Sequence, residues 1–286
     1  MAESLLRIAQ RAYRSRRPLD TPPAAADHRF LFIGGLHRSG TSLLHRLLRA
    51  HPRVSGFADT PAVEDEGQHL QSVFSPAYRH GGPGRFAFDL RSHLTERSAL
   101  ASAESRQRLM REWGAYYDLS KEVLLEKSPP NLVRSRFLQA LFPGACFVFV
   151  VRHPLAVALA TQKWAKTPVL ELLLHWHVAH AILFAELACL DRFCVVRYED
   201  FVASPQSHLD DICRLAGIEP VAAREAVADH NPGYFALWES DAAEEREAVE
   251  AAYPQQGPLE AFGYALSPPY VCSPAQISMP ARRKTV

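Results

Sequence analysis

Four short stretches of the chain are apolar without polar alternation: "FLFIGG" at 30–35, "VLLEK" at 123–127, "CFVFVVR" at 146–152 and "FCVVRY" at 193–198. Runs this short, rich in β-branched and aromatic residues, predict strands buried on both faces of a parallel sheet. Between them the period changes. "TSLLHRLLRAH" (41–51), "NLVRSRFLQALF" (131–142), residues 168–190 and "PQSHLDDICRLAG" (205–217) carry apolar residues at three- and four-residue spacing, which predicts helices. Alternating strand and helix with right-handed crossovers gives a three-layer α/β sandwich around a central parallel sheet. Its ligand crevice lies beyond the carboxyl ends of the strands, so chemistry is expected at 35–42, 127–129, 152–154 and 198–200.

Residues 168–190 approach the length of a membrane span. They contain Glu171, His175, His177, His180 and Glu186, which are costly in hydrocarbon, so a helix in a protein core is expected. On one helix, His175 and His177 point about 200° apart, so these histidines predict packing and no metal site. Residues 56–95, rich in Gly, Pro, His and acidic groups, predict long functional loops with a short helix near 64–73. "NPGYFALWES" (231–240) predicts a late aromatic turn that closes over a ligand or forms a flap on the core. The expected organisation is a basic N-terminal segment (1–27), one domain (28–266) and a poorly ordered Pro-rich tail (267–286).

A formal charge of +1 excludes a surface built to neutralise nucleic acid and leaves room for a local basic pocket. Five cysteines without a C-x-x-C pair, and no signal-peptide pattern, predict free thiols and a cytoplasmic location. The N-terminus alternates Leu5, Leu6 and Ile8 with arginines; a solvated helix is the expectation, and peripheral membrane contact is its alternative. The other long apolar run is the core helix, so no transmembrane segment is expected.

The strand "FLFI", the turn "GGLHRSG" and the helix "TSLLHRLL" place Gly35 and Gly40 as in a phosphate-cradling loop. Thr41 and Ser42 then follow directly, with no lysine before the hydroxyl. Main-chain amides, a helix N-terminus and the hydroxyls still form an anion site, and Arg38 supplies a charge inside the turn.

This loop resembles that of the sulfotransferases dependent on 3′-phosphoadenosine 5′-phosphosulfate (PAPS), especially the tyrosylprotein, bacterial and carbohydrate enzymes. "GGLHRSGTSLL" matches their G-x-x-R-S-G-T-[ST]-L pattern, and "LLRAHPRV", "LLEKSPPNLVR", "CFVFVVRHPLAVALATQKW" and "FCVVRYEDF" follow in the family's order. The resemblance implies a P-loop-containing nucleotide hydrolase-like (sulfotransferase) fold, with PAPS as donor, adenosine 3′,5′-bisphosphate (PAP) as product and no metal. It implies that Arg38, Ser39, Gly40, Thr41 and Ser42 hold the 5′-phosphosulfate. Arg152 at a strand end then binds the 3′-phosphate; the family's serine eight residues on is Ala160 here, leaving Thr161 or other donors as its substitute. Tyr198 is expected near the adenine, with Glu199 and Asp200 bracing the segment after it.

Sulfuryl transfer needs in-line attack, a base for the acceptor proton and cations for charge developing on the leaving oxygen. Lys127, after a strand, suits the last of these roles; its alternative is an ion pair with Glu126. For the base, Asp59 ranks first by likeness, then Glu66 and His69 on the expected helix. The resemblance leaves the acceptor open among small-molecule, carbohydrate, lipid and peptide hydroxyls, or an amine, and implies self-association as a homodimer. The alternative functions are a P-loop nucleotide kinase and a non-catalytic nucleotide-binding module.

Overall fold

The computed structural model of the 286-residue chain describes residues 17–21, 28–223, 227–241, 243–254 and 256–272. The expected basic helix at the N-terminus and the tail beyond 272 lie outside the described residues. Five parallel strands form one sheet: β1 (Arg29–Gly35), β2 (Val54–Gly56), β3 (Val123–Lys127), β4 (Cys146–Val151) and β5 (Phe193–Arg197), in the order β2-β3-β1-β4-β5. Strand order reverses about β1, which opens a crevice at its carboxyl end between β3 and β4.

Both faces of the sheet are covered, which is why its strands read as unbroken apolar runs. Phe30 and Phe32 of β1 face one core and Leu31 and Ile33 the other. The second core is closed by α1 (Thr41–Arg49) and by α7 (Pro205–Ala216), through Leu44, Leu48, Leu209 and Ile212. Against the first pack α2 (Ala103–Gly114), α3 (Ser135–Leu141), α4 (Pro154–Ala165) and α5 (Val169–Leu187). Among the described residues, α5 is the one helix long and apolar enough to cross a membrane. Several of its polar groups are paired: buried Glu186 accepts from Ser135 Oγ and the Arg136 amide, and His175 Nε2 accepts from the Ala87 amide. His177 and His180 turn to Tyr253 and to the Trp176 carbonyl, so the three rings go to different neighbours.

Four expectations need correction. β2 has only three residues and no apolar run, so pairing with β3 rather than local pattern makes it a strand. The expected helix near 64–73 is two single 3₁₀ turns, Val63–Asp65 and Gly67–His69; Glu64 and Asp65 are left-handed (φ 55° and 51°), which no α-helix tolerates. "NPGYFALWES" is no turn but α8 (Asn231–Asp241): the Asp229 carboxylate accepts from the Asn231 amide, and Pro232 falls in the first turn, where it is compatible with a helix. Residues 267–272, expected to be poorly ordered, are held. Tyr270 stacks on Phe235 with centroids 4.2 Å apart, and Arg197 Nη1 donates to the carbonyls of Phe262 and Cys272.

Gly34 shows how tightly β1 meets the turn after β3. A Cβ there would stand 2.7 Å from the Leu132 backbone nitrogen, which cannot rotate away. Gly34→Ala is expected to cost about 3 kcal/mol, the upper end of overpacking, read as a lower urea midpoint at unchanged slope.

Burial also sets an acid limit. His153, His175 and His180 are sealed in the core, and burial lowers their pKa to about 4, 3 and 3. These are depressed below the unfolded value of about 6.5, so the unfolded chain binds more protons as pH falls. Their stabilising effect is complete above 6.5 and is lost below it, at up to about 1.4 kcal/mol per pH unit for each ring. Urea unfolding at pH 7 and pH 5 is expected to differ by several kcal/mol, and a flat profile would contradict buried neutral rings.

Candidate active site

The loop after β1 turns sharply into α1. Gly40 caps the helix in the left-handed region (φ 102°), with no side chain occupying the first-turn amides, which leaves them for an anion. A Cβ at Gly40 would lie 2.8 Å from Tyr198 Cδ2, so glycine is required both by φ and by that ring. Ser39 is turned inward, its Oγ donating to the Leu36 carbonyl; Thr41 is buried and Ser42 Oγ donates to Glu64 Oε2 at 3.1 Å. Arg38 is exposed, left-handed (φ 70°), and its guanidinium lies 4.4 Å over the Trp164 ring.

A cavity of about 390 Å³ opens over this loop, lined by His37, Arg38, Gly40, Thr41, Ser42, Leu43, Arg46, Glu64, Glu66, Pro129, Arg152, Trp164, Tyr198, Val227, Ala228 and His230. The sheet order places Arg152 and Tyr198 on its β4–β5 side and the segment after β3 on the other. Arg152 is buried: Nε donates to Asn231 Oδ1 at 2.8 Å, Nη1 to the Arg38 carbonyl at 2.8 Å, and Nη2 is sealed with no partner. The guanidinium lies 4.3 Å over Tyr198, whose hydroxyl donates to the Ala228 carbonyl. Tyr198 opens α6 (Tyr198–Ala203). Glu199 braces this side, accepting from the His153 amide, Asn231 Nδ2 and Tyr264 Oη, while Asp200 pairs with Arg197.

On the β3 side, Lys127 is buried; its Nζ donates to the Glu64 carbonyl at 2.7 Å and to Glu66 Oε1 at 3.2 Å. Its partner is therefore Glu66 and not Glu126. Glu126 instead accepts from the Gly67 amide, Ser128 Oγ and Asn131 Nδ2, fastening the Glu66 turn to β3. Burial raises the Glu126 pKa to about 7, against those hydrogen bonds. Glu66 Oε2 accepts from Gln68 Nε2 at 2.5 Å.

The structure thus brings together Arg38, Gly40, Thr41, Ser42, Glu66, Arg152 and Tyr198 as cavity walls, with Lys127 bonded to Glu66 and Ser39 bracing the loop. Three expected residues lie elsewhere. Asp59 is exposed at a left-handed turn (φ 51°) and lines no part of the cavity, whereas Glu66 does. His69 stands behind Glu66, Nε2 3.7 Å from Oε2, its ring stacked on Tyr78 and its pKa lowered by burial. Thr161 is buried and faces a separate small cavity with Leu172 and His175, away from Arg152. The partner of Arg152 is Asn231, which the sequence did not disclose because it stands 79 positions away. His37, Trp164 and His230 also carried no chemical pattern in the sequence; only His37, inside the loop, had a positional signal.

The fold and site define an α/β protein with an anion cradle after its central strand, a sealed guanidinium on one side and a carboxylate–ammonium pair on the other. A profile of the sulfotransferase family matches residues 31–222, and the chain belongs to that family. It is 27% identical to protein-tyrosine sulfotransferase 2 of Gallus gallus over 66% of this chain and 51% of that protein. It is 24% identical to protein-tyrosine sulfotransferase 1 of Danio rerio over 76% of this chain and 61% of that protein. The chain thus spans between about half and three fifths of these relatives' length. Among solved structures, the sulfotransferase STF1 of Mycobacterium tuberculosis shares its fold at TM-score 0.53 and 19% identity, over 86% of this chain and 82% of that one.

Proposed function

We propose that the chain transfers a sulfuryl group from PAPS to an acceptor hydroxyl. The observation that carries this is the buried Arg152, whose Nη2 has no protein partner, beside a cradle that carries Arg38 inside its turn and no lysine after Gly40. A bisphosphorylated nucleotide fits both: the 5′-phosphosulfate on the amides of 39–42 and the hydroxyls of Thr41 and Ser42 with Arg38, and the 3′-phosphate on Arg152. Tyr198, between the two, presents a ring edge to the nucleotide.

In the transfer, the acceptor oxygen attacks sulfur in line. A new S–O bond forms, the S–O bond to the 5′-phosphate breaks with its electron pair passing to the phosphate oxygen, and the acceptor proton goes to Glu66. Lys127 exchanges Glu66 and the Glu64 carbonyl for that phosphate oxygen, and the α1 N-terminus adds its partial charge. The named activity of the curated relatives makes a tyrosyl hydroxyl the first acceptor to try. Transfer of labelled sulfuryl from PAPS to a panel of tyrosyl peptides, phenols and sugars tests the reading. Product on any of them supports it; a chain that binds PAP yet labels none is a binding module.

A further inference from the structure

His37 lines the cavity over the loop and also the small inner cavity of about 10 Å³ that Thr161 and His175 line. Its ring meets Phe86 edge-on with centroids 5.8 Å apart, and its Nδ1 is sealed with no hydrogen-bond partner. A neutral imidazole carries one proton. On Nδ1 it would be a buried donor with nothing to accept it, which assigns the proton to Nε2. We propose that His37 donates a hydrogen bond from Nε2 to an oxygen of the sulfuryl group in transfer, an inference that rests on PAPS being the donor.

Three observations support this role. His37 and Glu66 line the same cavity, and Lys127 is bonded to Glu66, so base and leaving-group cation face the cavity that His37 borders. It precedes Arg38 in the cradle, so a group bonded to the cradled phosphate and pointing toward Glu66 passes it. Finally, the ring is neutral: burial lowers its pKa to about 4, with Glu66 opposing and Lys127 and His69 adding. A neutral donor orients the sulfuryl oxygens without the tight ground-state binding that a cation would give, so its hold does not raise the barrier.

PAP lacks the sulfuryl group and PAPS carries it, so the pair isolates this contact. His37→Phe is expected to weaken PAPS about 10-fold and lower kcat about 50-fold, with PAP affinity changed less than 2-fold. His37→Gln, which keeps an N–H donor, recovers most of both. Because the ring stays neutral, the wild type and His37→Gln share one pH–kcat profile between pH 5.5 and 8. Equal weakening of PAP and PAPS would show that His37 only shapes the loop and overturn the proposal, as would full activity in His37→Phe. Failure of the wild type to bind either ligand would instead overturn the assignment of PAPS beneath it.

Discussion

Glu66→Gln is expected to lower kcat by about 10³-fold while changing the Kd for PAP less than 3-fold. Proton removal by a positioned carboxylate contributes roughly 10²- to 10⁴-fold, and an amide cannot take the proton. The fold holds Glu66 at the cavity wall, since its turn is fastened to β3 through Glu126 and Ser128 and its two oxygens accept from Lys127 and Gln68. Glutamine keeps an oxygen for Lys127 and so limits the disturbance, which circular dichroism of the variant checks. The paired control is Asp59→Asn, expected within 2-fold of wild type because its carboxylate lies outside the cavity. The opposite pattern, with Asp59→Asn inactive and Glu66→Gln near normal, would return the base to Asp59.

Arg152→Leu is expected to weaken PAP 10²- to 10³-fold. The loss combines two or three charge-assisted hydrogen bonds at about 1.5 to 3 kcal/mol each, less what water recovers. Arg152 also holds the Arg38 carbonyl, so a drop alone does not separate a ligand contact from support of the loop. Adenosine 5′-phosphosulfate, which has no 3′-phosphate, separates them: calorimetry should find its affinity reduced only about 3-fold. Equal losses for both nucleotides would mean that Arg152 acts through the loop and that the 3′-phosphate sits elsewhere. Arg152→Lys should stay weak for PAP, because an ammonium cannot replace a fork that reaches Asn231, the Arg38 carbonyl and a ligand together.

The sheet was legible because parallel strands covered on both faces leave continuous apolar runs, and the cradle because its glycines follow such a run. β2 was not, since three residues carry no period and their pairing is settled by β3. The place of Glu66 in the cavity was not legible for a related reason. Counting along the chain favours Asp59, but left-handed residues at 59, 64 and 65 fold the loop back on itself, with the Asp65 carboxylate accepting from Thr60, and so bring Glu66 to the cavity. Those turns are fixed by hydrogen bonds to Glu126 and Ser128, about sixty positions away, that no local pattern announces. Arg152 was legible as a cation at a strand end; its partner Asn231 was not, because Asn-Pro-Gly reads as a turn and here begins a helix.

The proposal that the cradle takes a phosphosulfate rather than a metal-bound triphosphate is tested most directly by calorimetric titration with PAP and with ATP, each in magnesium and in chelator. The expected result is one PAP site per chain of equal affinity in both buffers, lost in Arg38→Ala, with ATP at least tenfold weaker whether or not magnesium is present. Tighter binding of magnesium ATP than of PAP, or PAP binding indifferent to Arg38, would contradict it.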